Sequence, residues 1–567
     1  MSSKAAEVGA TPTEQAAEGD VQVSTIREGK AQIFLQGNQV FYNKAQVTNR
    51  DLSVAVLKYF VKQRQKEIDD GTLKAKRRLP SGKGAPPSNY IFNPEEITGA
   101  KIFEGLAASG LRSLRYSLEV PGVEAFVACD LDEVAVEAMK RNIAINGKEA
   151  EKLYPLHSDA RLHMLQHPCF YEAIDLDPYG TPVQFLDSAV QSVSEGGLLL
   201  VTATDMAVLC GNHGEACHAK YGIYPLQKPY CHEMALRIVL ACIEKHANRY
   251  KRHIVPMVSL SIDFYVRVFV RVYTSPLEVK SSASKLAYVY QSVGCSSYYL
   301  QRVGQKTEKK GRVRYNAGRG PVMEKCPETG SQFSIGGPIW AEPLHDERFL
   351  KGVLEDIEAE KESYKMFDKI KGMLTTASEE LSDCPLFFDT HDVCKTVGIS
   401  AIKLDMFASA LSNAGYRAST THCNSKAIKT DAPWEFVWDI VRAAAKKQCA
   451  TRTFDPNTYA GKLMAKEVTH EIVFSNKSIS KSRKDGLIRF PGNPEGCWGP
   501  RRRHGREVPE EASSGGKERV TKKSEGDGNG VGSEGAKAAK RGREVETVVE
   551  GENGGKEAKK VKSDEQR

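Results

Sequence analysis

The sequence predicts an α/β fold built on a mostly parallel sheet, and three observations carry that expectation. Between residues 100 and 275, short apolar runs alternate with helical patterns, the signature of repeated βαβ units. Polar residues gather where those runs end, and ligands bind at the carboxyl ends of strands in open α/β sheets. Two β-rich stretches between Ile254 and Val272, around Asp263-Phe264, read as an antiparallel pair at the sheet edge.

Lys101-Ile102-Phe103-Glu104-Gly105 is the first expected strand, followed by a helix capped by Ser109 with Leu111, Leu114 and Leu118 on one face. Glu124 to Cys129 is the second strand. Asp132 then caps a helix with Val134, Ala138 and Met139 inward, closed by Asn146-Gly147. The third strand ends near Ser158-Asp159-Ala160, and the fourth is Ala173-Ile174-Asp175-Leu176. Thr181 and Pro182 fit the cap and first turn of a helix bearing Phe185, Leu186, Ala189 and Val193, which stops at Gly196-Gly197. Leu198 to Thr202 has the all-apolar character of a fully buried fifth strand.

The strand ends carry the chemistry. After the fourth strand come Asp177, Pro178, Tyr179 and Gly180. The Asp177 carboxylate and a carbonyl beside Pro178 can accept both N–H groups of an exocyclic amine while Tyr179 covers the ring. The bland alternative is an ordinary Asp-Pro turn. Glu104-Gly105 opens a turn of small residues that lets the backbone approach a ligand closely. Asp130, 25 residues beyond Gly105, is placed to accept both ribose hydroxyls of a nucleoside cofactor, and Asp159-Ala160 to receive an adenine amine. No expected strand is followed by a G-x-G-x-x-G loop, and there is no P-loop, which favours S-adenosylmethionine over a dinucleotide or a triphosphate.

At 567 residues the chain exceeds one average domain. We expect a disordered N-terminus at 1–20, a catalytic domain at 21–275 with an N-terminal extension at 21–98, a second α/β domain at 276–490, and a disordered charged tail at 491–567. The tail lacks the apolar content to offset ordering entropy. No run of 18 apolar residues exists, so no membrane span is expected. Glu7, Glu14, Glu18 and Asp20 argue against a transit peptide. The 13 cysteines, scattered and without a signal peptide, suit buried thiols. Net charge is +8, and the cations cluster at 74–78 and at Lys306, Lys309, Lys310, Arg312, Arg314 and Arg319, segments suited to a phosphate backbone. Lys540-Arg541-Gly542-Arg543 and Lys559-Lys560-Val561-Lys562 read as nuclear-import signals. No segment points to an obligate protein partner.

From about Ile26 to Ala445 the chain resembles the tRNA (guanine-26-N2)-dimethyltransferases. The residues that carry the resemblance are Glu28-Gly29, Phe41-Tyr42-Asn43, Asn49-Arg50-Asp51-Leu52-Ser53, Ala108-Ser109-Gly110-Leu111-Arg112-Ser113-Leu114-Arg115, Asp175 to Gly180, Thr204-Asp205-Met206-Ala207, Leu209-Cys210-Gly211 and Gly336-Gly337-Pro338-Ile339-Trp340. The resemblance implies a class I methyltransferase domain, Rossmann-like with a seven-stranded mostly parallel sheet, and a family-specific C-terminal domain that docks tRNA. It also implies S-adenosylmethionine as cofactor, contacts to it at Arg50, Arg112, Asp130 and Asp159-Ala160, catalysis by Asp177, Pro178 and Tyr179, and dimethylation of guanine N2. Relatives often hold zinc with two Cys-x-x-Cys pairs, where this chain has Ser292-x-x-Cys295 and Cys326-x-x-Thr329. A closed site needs four ligands, so no metal is expected.

Three tyrosines, Tyr221, Tyr224 and Tyr230, offer either structural packing or a stacking platform. Residues 389 to 422 suit a winged-helix-like RNA-binding unit or an ordinary α/β packing domain. Methylation of adenine N6 or of a protein glutamine, and a non-catalytic RNA-binding role, are the competing functions.

Overall fold

Strand residues that alternate between two apolar faces need cover on both sides, and the fold supplies it with helices. The computed structural model describes residues 23–36, 42–73, 99–320, 323–449, 451–475 and 486–493, all within one compact unit. The expected disordered terminus at 1–20, the cation cluster at 74–78 and both tail clusters lie outside the described residues.

An antiparallel hairpin, β1 (Val23–Glu28) and β2 (Ala31–Gln36), precedes the long helix α1 (Val47–Asp69). Then β3 (Ala100–Gly105), α2 (Leu111–Glu119), β4 (Val123–Asp130), α3 (Glu133–Ile145), β5 (Leu153–His157), α4 (Ala160–Gln166), β6 (Tyr171–Leu176), α5 (Val183–Ser192) and β7 (Val193–Ala203) alternate; the sequence pattern names each of these except α4. Helices α6 (Met206–Leu209), α7 (Gly214–Tyr221) and α8 (Cys231–Asn248) lead to β8 (Arg252–Ile262) and β9 (Tyr265–Thr274). These strands form a seven-stranded sheet in the order β5-β4-β3-β6-β7-β9-β8. β3 to β7 are mutually parallel, and β9 runs antiparallel to both β7 and β8.

The order reverses between β3 and β6, and that switch point is where an open α/β sheet leaves a crevice. Gly105 pairs in register with Leu176, so the turn after β3 and the residues after β6 face each other across it. Ile102, Phe126, Ala173 and Leu200 pack with α1 and α2 on one face of the sheet. Phe103, Val127, Ile174 and Leu199 pack with α4, α5 and α8 on the other.

Four local expectations need correction. Ser109 does not cap α2; left-handed Gly110 occupies the cap without a side-chain bond. Val134 is exposed and Val136 points inward in its place, beside Ala138 and Met139. Pro182 is itself the cap of α5. That helix stops at Ser192, because Val193 turns extended and Gly196-Gly197 fall inside β7, where the register with β6 shifts.

Buried charge fixes the N-terminal segment to the sheet. Arg115 of α2 donates to Glu28 at 3.0 Å, to Glu119 at 2.9 and 3.0 Å, and to Asp51 of α1. Gly29 must be small, since a Cβ there would meet Glu119 Oε1 at 2.1 Å. Burial pushes the Glu28 carboxyl up, but Arg50 and Arg115 outweigh it and bring it to about 2. The stability this contributes is present above the ordinary carboxylate range and is lost as pH falls toward 2. Removing one partner of such a cluster costs about 3–5 kcal/mol.

Beyond β9, a second antiparallel sheet has β10 (Leu286–Ser292) between β11 (Tyr298–Arg302) and β14 (Phe333–Trp340). Between β11 and β14, β12 (Gly304–Lys309) and β13 (Arg312–Ala317) form a separate hairpin. A third core, centred on Trp438, gathers the short strands Phe388–Asp389, Ala427–Thr430 and Ala418–Ser419, in that spatial order, with helices Thr390–Thr396, Leu404–Asn413 and Trp434–Gln448. Along the chain these elements run strand, helix, helix, strand, strand, helix. No described helix is long and apolar enough to cross a membrane.

Candidate active site

The turn after β3 is held in a conformation that side chains resist. Leu106, Ala108 and Gly110 have φ of +70°, +48° and +72°, and strain in non-glycine residues of this kind is stored at ligand sites. It is fixed by the neighbouring strand end: Ala107 N–H donates to the Cys129 carbonyl at 2.9 Å and Ala108 N–H to Asp130 Oδ2 at 2.8 Å. A cleft of about 190 Å³ opens beside it. Its walls are Leu106 to Ser109, Glu104 and Arg112, then Asp177 to Tyr179, Thr204, Phe264, and Tyr42, Asn43, Gln46 and Arg50 from the N-terminal segment.

Arg112 is the hub. Its guanidinium reaches Glu104 at 3.2 Å, Asn49 Oδ1 at 3.1 Å, Asp175 at 3.5 Å and, most closely, Asp177 Oδ2. Arg267 of β9 holds Asp175 from the far side with two bonds of 2.9 and 2.8 Å, and the Tyr116 hydroxyl adds a third at 2.5 Å. Asp177 Oδ2 also accepts from Asn49 Nδ2 at 3.2 Å, while Oδ1 has no partner among the described residues. Gly180 N–H donates to Thr204 Oγ1 at 2.7 Å and its carbonyl accepts from Thr204 N–H at 2.9 Å, so the loop is clamped to the end of β7.

Three carboxyls thus share two guanidiniums, and the unequal count has a consequence. Burial raises Asp175, but Arg267 and Arg112 outweigh it and hold it below the ordinary carboxylate range. For Glu104 burial wins, helped by the charges of Asp175 and Asp177 against the pull of Arg112, and the carboxyl is pushed up to about 8. Ser113 Oγ donates to Glu104 Oε2. Near neutral pH, Glu104 keeps its proton.

Six of the expected site residues, Arg50, Glu104, Arg112, Asp177, Pro178 and Tyr179, line this one cleft. Arg50 is turned onto Glu28 by a bidentate pair, both bonds 2.6 Å, and stacks over Tyr42. Gly105 ends β3 next to the cleft-lining Glu104 and Leu106 without lining the cleft itself, and a Cβ there would crowd Ala160 and Leu176 at 3.3 Å. Asp130, at the end of β4, accepts from the Ala108 and Asp132 amides. Asp159 caps α4 and pairs with Arg161 at 2.6 Å, so much of its carboxylate is already engaged. Strand order places Asp159, Asp130, Glu104 and Asp177 in succession along the carboxyl edge of the sheet. Among individual side chains, Asn49, Tyr116, Arg267 and Phe264 were not singled out for a site role by the sequence reading. Asn49 and the Asp175 motif are at least within segments it flagged.

A sequence model described as N2,N2-dimethylguanosine tRNA methyltransferase matches residues 19–442. The chain is 45% identical over 526 residues to tRNA (guanine(26)-N(2))-dimethyltransferase 2 of Arabidopsis thaliana, covering 86% of this chain and 89% of that one. It is 42% identical over 518 residues to the tRNA (guanine(26)-N(2))-dimethyltransferase of Homo sapiens, covering 85% and 78% respectively. The chain belongs to this family. Among solved structures, Trm1 from Pyrococcus horikoshii in complex with S-adenosyl-L-methionine superposes with a TM-score of 0.58 at 29% identity, covering 73% of this chain and 98% of that one.

The methyltransferase cleft suits that cofactor on its own chemistry. Glu104 and Asp177 are carboxyls beside which a cationic sulfonium is favourable, Asp130 keeps acceptor capacity for ribose hydroxyls, and the close-packed turn leaves room at Ala107 to Ser109.

One further motif of the methyltransferase family acquires a physical role. Gly336 and Gly337 let β14 approach the loop after α7, where Tyr224 and Gly337 exchange backbone bonds of 3.2 and 2.8 Å and a Cβ on Gly336 would meet Leu226 at 2.6 Å. Of the three tyrosines, Tyr221 and Tyr230 are buried, bonded to Asp205 and Gln291, which is the packing role. Tyr224 is exposed, as is Tyr179.

Between Ser292-x-x-Cys295 and Cys326-x-x-Thr329, the Cys295 and Cys326 sulfurs stand 3.8 Å apart. Ser292, Ser331 and Thr329 close the knuckle with hydroxyl bonds of 3.0 and 2.9 Å, and Cys295 is further shared between Ser292 and Ser297 at 3.3 Å. Hydroxyls bind zinc poorly where thiolates are the usual ligands, and here they are occupied with each other. The zinc content of the full chain, measured by elemental analysis, is therefore expected to be unchanged by Cys295→Ser. Loss of one zinc equivalent in that variant would contradict the hydroxyl-held knuckle.

Proposed function

We propose that Asp177 is the group that receives the guanine N2 amine. The chain is an S-adenosylmethionine-dependent tRNA (guanine-26-N2)-dimethyltransferase. The observation that carries the Asp177 assignment is its pair of unequal oxygens: Oδ2 is fixed by Arg112 and Asn49, and Oδ1 is open within the same cleft as the strained turn.

S-adenosylmethionine, when bound, supplies an electrophilic methyl on a cationic sulfur. Glu104, Gly105, Arg112, Asp130, Asp159, Ala160 and Arg50 are the residues we assign to holding it. The guanine N2 lone pair is delocalised into the ring, so the protein must make that nitrogen more nucleophilic. Asp177 Oδ1 accepts one N2–H and a carbonyl beside Pro178 accepts the other, which draws the amine toward a pyramidal geometry. As the N–C bond forms and the methyl–sulfur bond breaks, its electron pair remaining on a neutral thioether, positive charge grows on N2 and the carboxylate stabilises it and takes the departing proton. Arg112 fixes the direction in which Asp177 points, so no reorganisation is needed at the moment of transfer.

A base inside folded RNA must leave its stack to reach Asp177, and exposed Tyr179 is the ring we assign to receive its face. The second methyl transfer presents an amine with one hydrogen fewer, which Asp177 alone still satisfies. Residues 276–490 serve tRNA docking in this reading. The basic clusters at 540–543 and 559–562 support nuclear import, while the relative from Saccharomyces cerevisiae is named as mitochondrial.

Incubating the full chain with labelled S-adenosylmethionine and unmodified tRNA, followed by nucleoside analysis, is expected to place label in N2,N2-dimethylguanosine. Label in adenosine or in protein, or tRNA retention with no transfer, would favour the competing functions.

The proton on Glu104 gives a second prediction. A cation bound beside that carboxyl favours its ionised form, so cofactor binding releases a proton and tightens as pH rises toward about 8, then levels. Titration calorimetry of the cofactor in two buffers of different ionisation enthalpy is expected to report release in the parent and a smaller release in Glu104→Gln. Equal release in both proteins would contradict the assignment.

A further inference from the structure

The hairpin of β12 and β13 has no place in either sheet and no core of its own. Its strands pair only with each other, from Gly304↔Ala317 to Lys309↔Arg312. At about 3.4 Å per residue, six residues a side make an arm about 20 Å long. Side chains opposite one another share a face. One face therefore carries Lys309, Arg312 and Arg314 with Gln305, Thr307 and Asn316; the other carries Lys306, Glu308, Val313 and Tyr315. Lys309, Lys310, Arg312 and Arg314 are exposed, and none forms an ion pair among the described residues.

The arm is cationic at its far end and rigid at its root. Lys310 and Gly311, at φ of +53° and +71°, make the tight turn whose twist suits a two-residue hairpin loop, and both strands meet there as Lys309-Lys310-Gly311-Arg312. At the root, Gly304 is buried against the chain at Ala283, where a Cβ would meet Ala283 at 2.7 Å, and Gly318 abuts the Arg302 carbonyl, where a Cβ would lie at 2.0 Å. Gly318 N–H donates to the Val303 carbonyl at 2.8 Å, and Val303 N–H to Leu286 of β10 at 2.9 Å. Such an arm gains nothing by burial, and its unpaired cations repel one another when nothing lies against them. A polyanion resolves both.

We propose that the Lys309–Arg312–Arg314 face of this hairpin grips the phosphate backbone of the substrate tRNA, away from the base being methylated. The proposal rests on the tRNA reading above. Contacts of this kind position the nucleic acid and carry no sequence information. They act on binding, and each phosphate neutralised steepens the fall of affinity with salt.

The test compares the full-length parent with Lys309→Ala/Arg312→Ala/Arg314→Ala, and with Lys306→Ala on the opposite face. All four positions are exposed, so folding is preserved. Parent turnover on unmodified tRNA in the same assay secures the tRNA reading independently. The triple variant is expected to raise KM for tRNA by roughly tenfold or more, leave kcat near the parent value, and lower the slope of log affinity against log salt by about 2–3. Lys306→Ala is expected to change KM by less than about twofold. An unchanged KM and salt slope in the triple variant, with the parent active, would overturn the hairpin assignment alone; equal losses in both variants would overturn the assignment of one face.

Discussion

The contact on which the rest of the active site depends is the ion pair between Arg112 and Asp177. Arg112 stands on the helix that follows β3, and Asp177 stands just past β6. Those are the two strands between which the sheet order reverses. The pair therefore bridges the crevice that topology creates and fixes one carboxylate oxygen while leaving the other open. Everything around it serves that geometry: Arg267 and Tyr116 neutralise and hold Asp175 so that it cannot take all of Arg112, and Asn49 brings α1 against the same carboxylate. Buried pairs gain little net stability once desolvation is counted. Their concentration here is better explained by the need for a preorganised charge at one place.

The charge count extends the argument. With Glu104, Asp175 and Asp177 facing Arg112 and Arg267, one carboxyl is in excess and retains a proton. In the proposed assignment, the positive charge of the methyl donor takes the place of that proton as the third cation beside the three carboxyls. The N-terminal hairpin and α1, fastened through Arg115, Glu28 and Asp51, close the same side of the cleft with Tyr42, Asn43 and Arg50.

Much of this was legible in the chain because buried parallel strands are written as uninterrupted apolar runs and their ends as abrupt changes to acid, glycine or proline. The first five strands, the antiparallel pair around Asp263 and the cap at Asp132 follow from such local marks, while the seven-stranded sheet followed from the family resemblance. The failures were also local. Gly196-Gly197 looks like a helix stop and is a break in strand register, and Val134 falls one position away from the buried stripe that Val136 occupies. The site's acids were visible as strand ends, but their partners were not. Asn49 and Arg267 reach Asp177 and Asp175 across 128 and 92 residues of chain, and no pattern within a window records such a meeting. For Asp159 the ordinary role as a helix cap accounts for the residue's geometry, whatever else it binds.

The central claim is that an oriented carboxylate at position 177 activates the acceptor amine. It is tested most directly by single-turnover methylation of unmodified tRNA by Asp177→Ala, with tRNA affinity measured on the same protein. The account predicts a rate lower by roughly 10²- to 10³-fold with tRNA affinity close to that of the parent. Methyl transfer at the parent rate would contradict it.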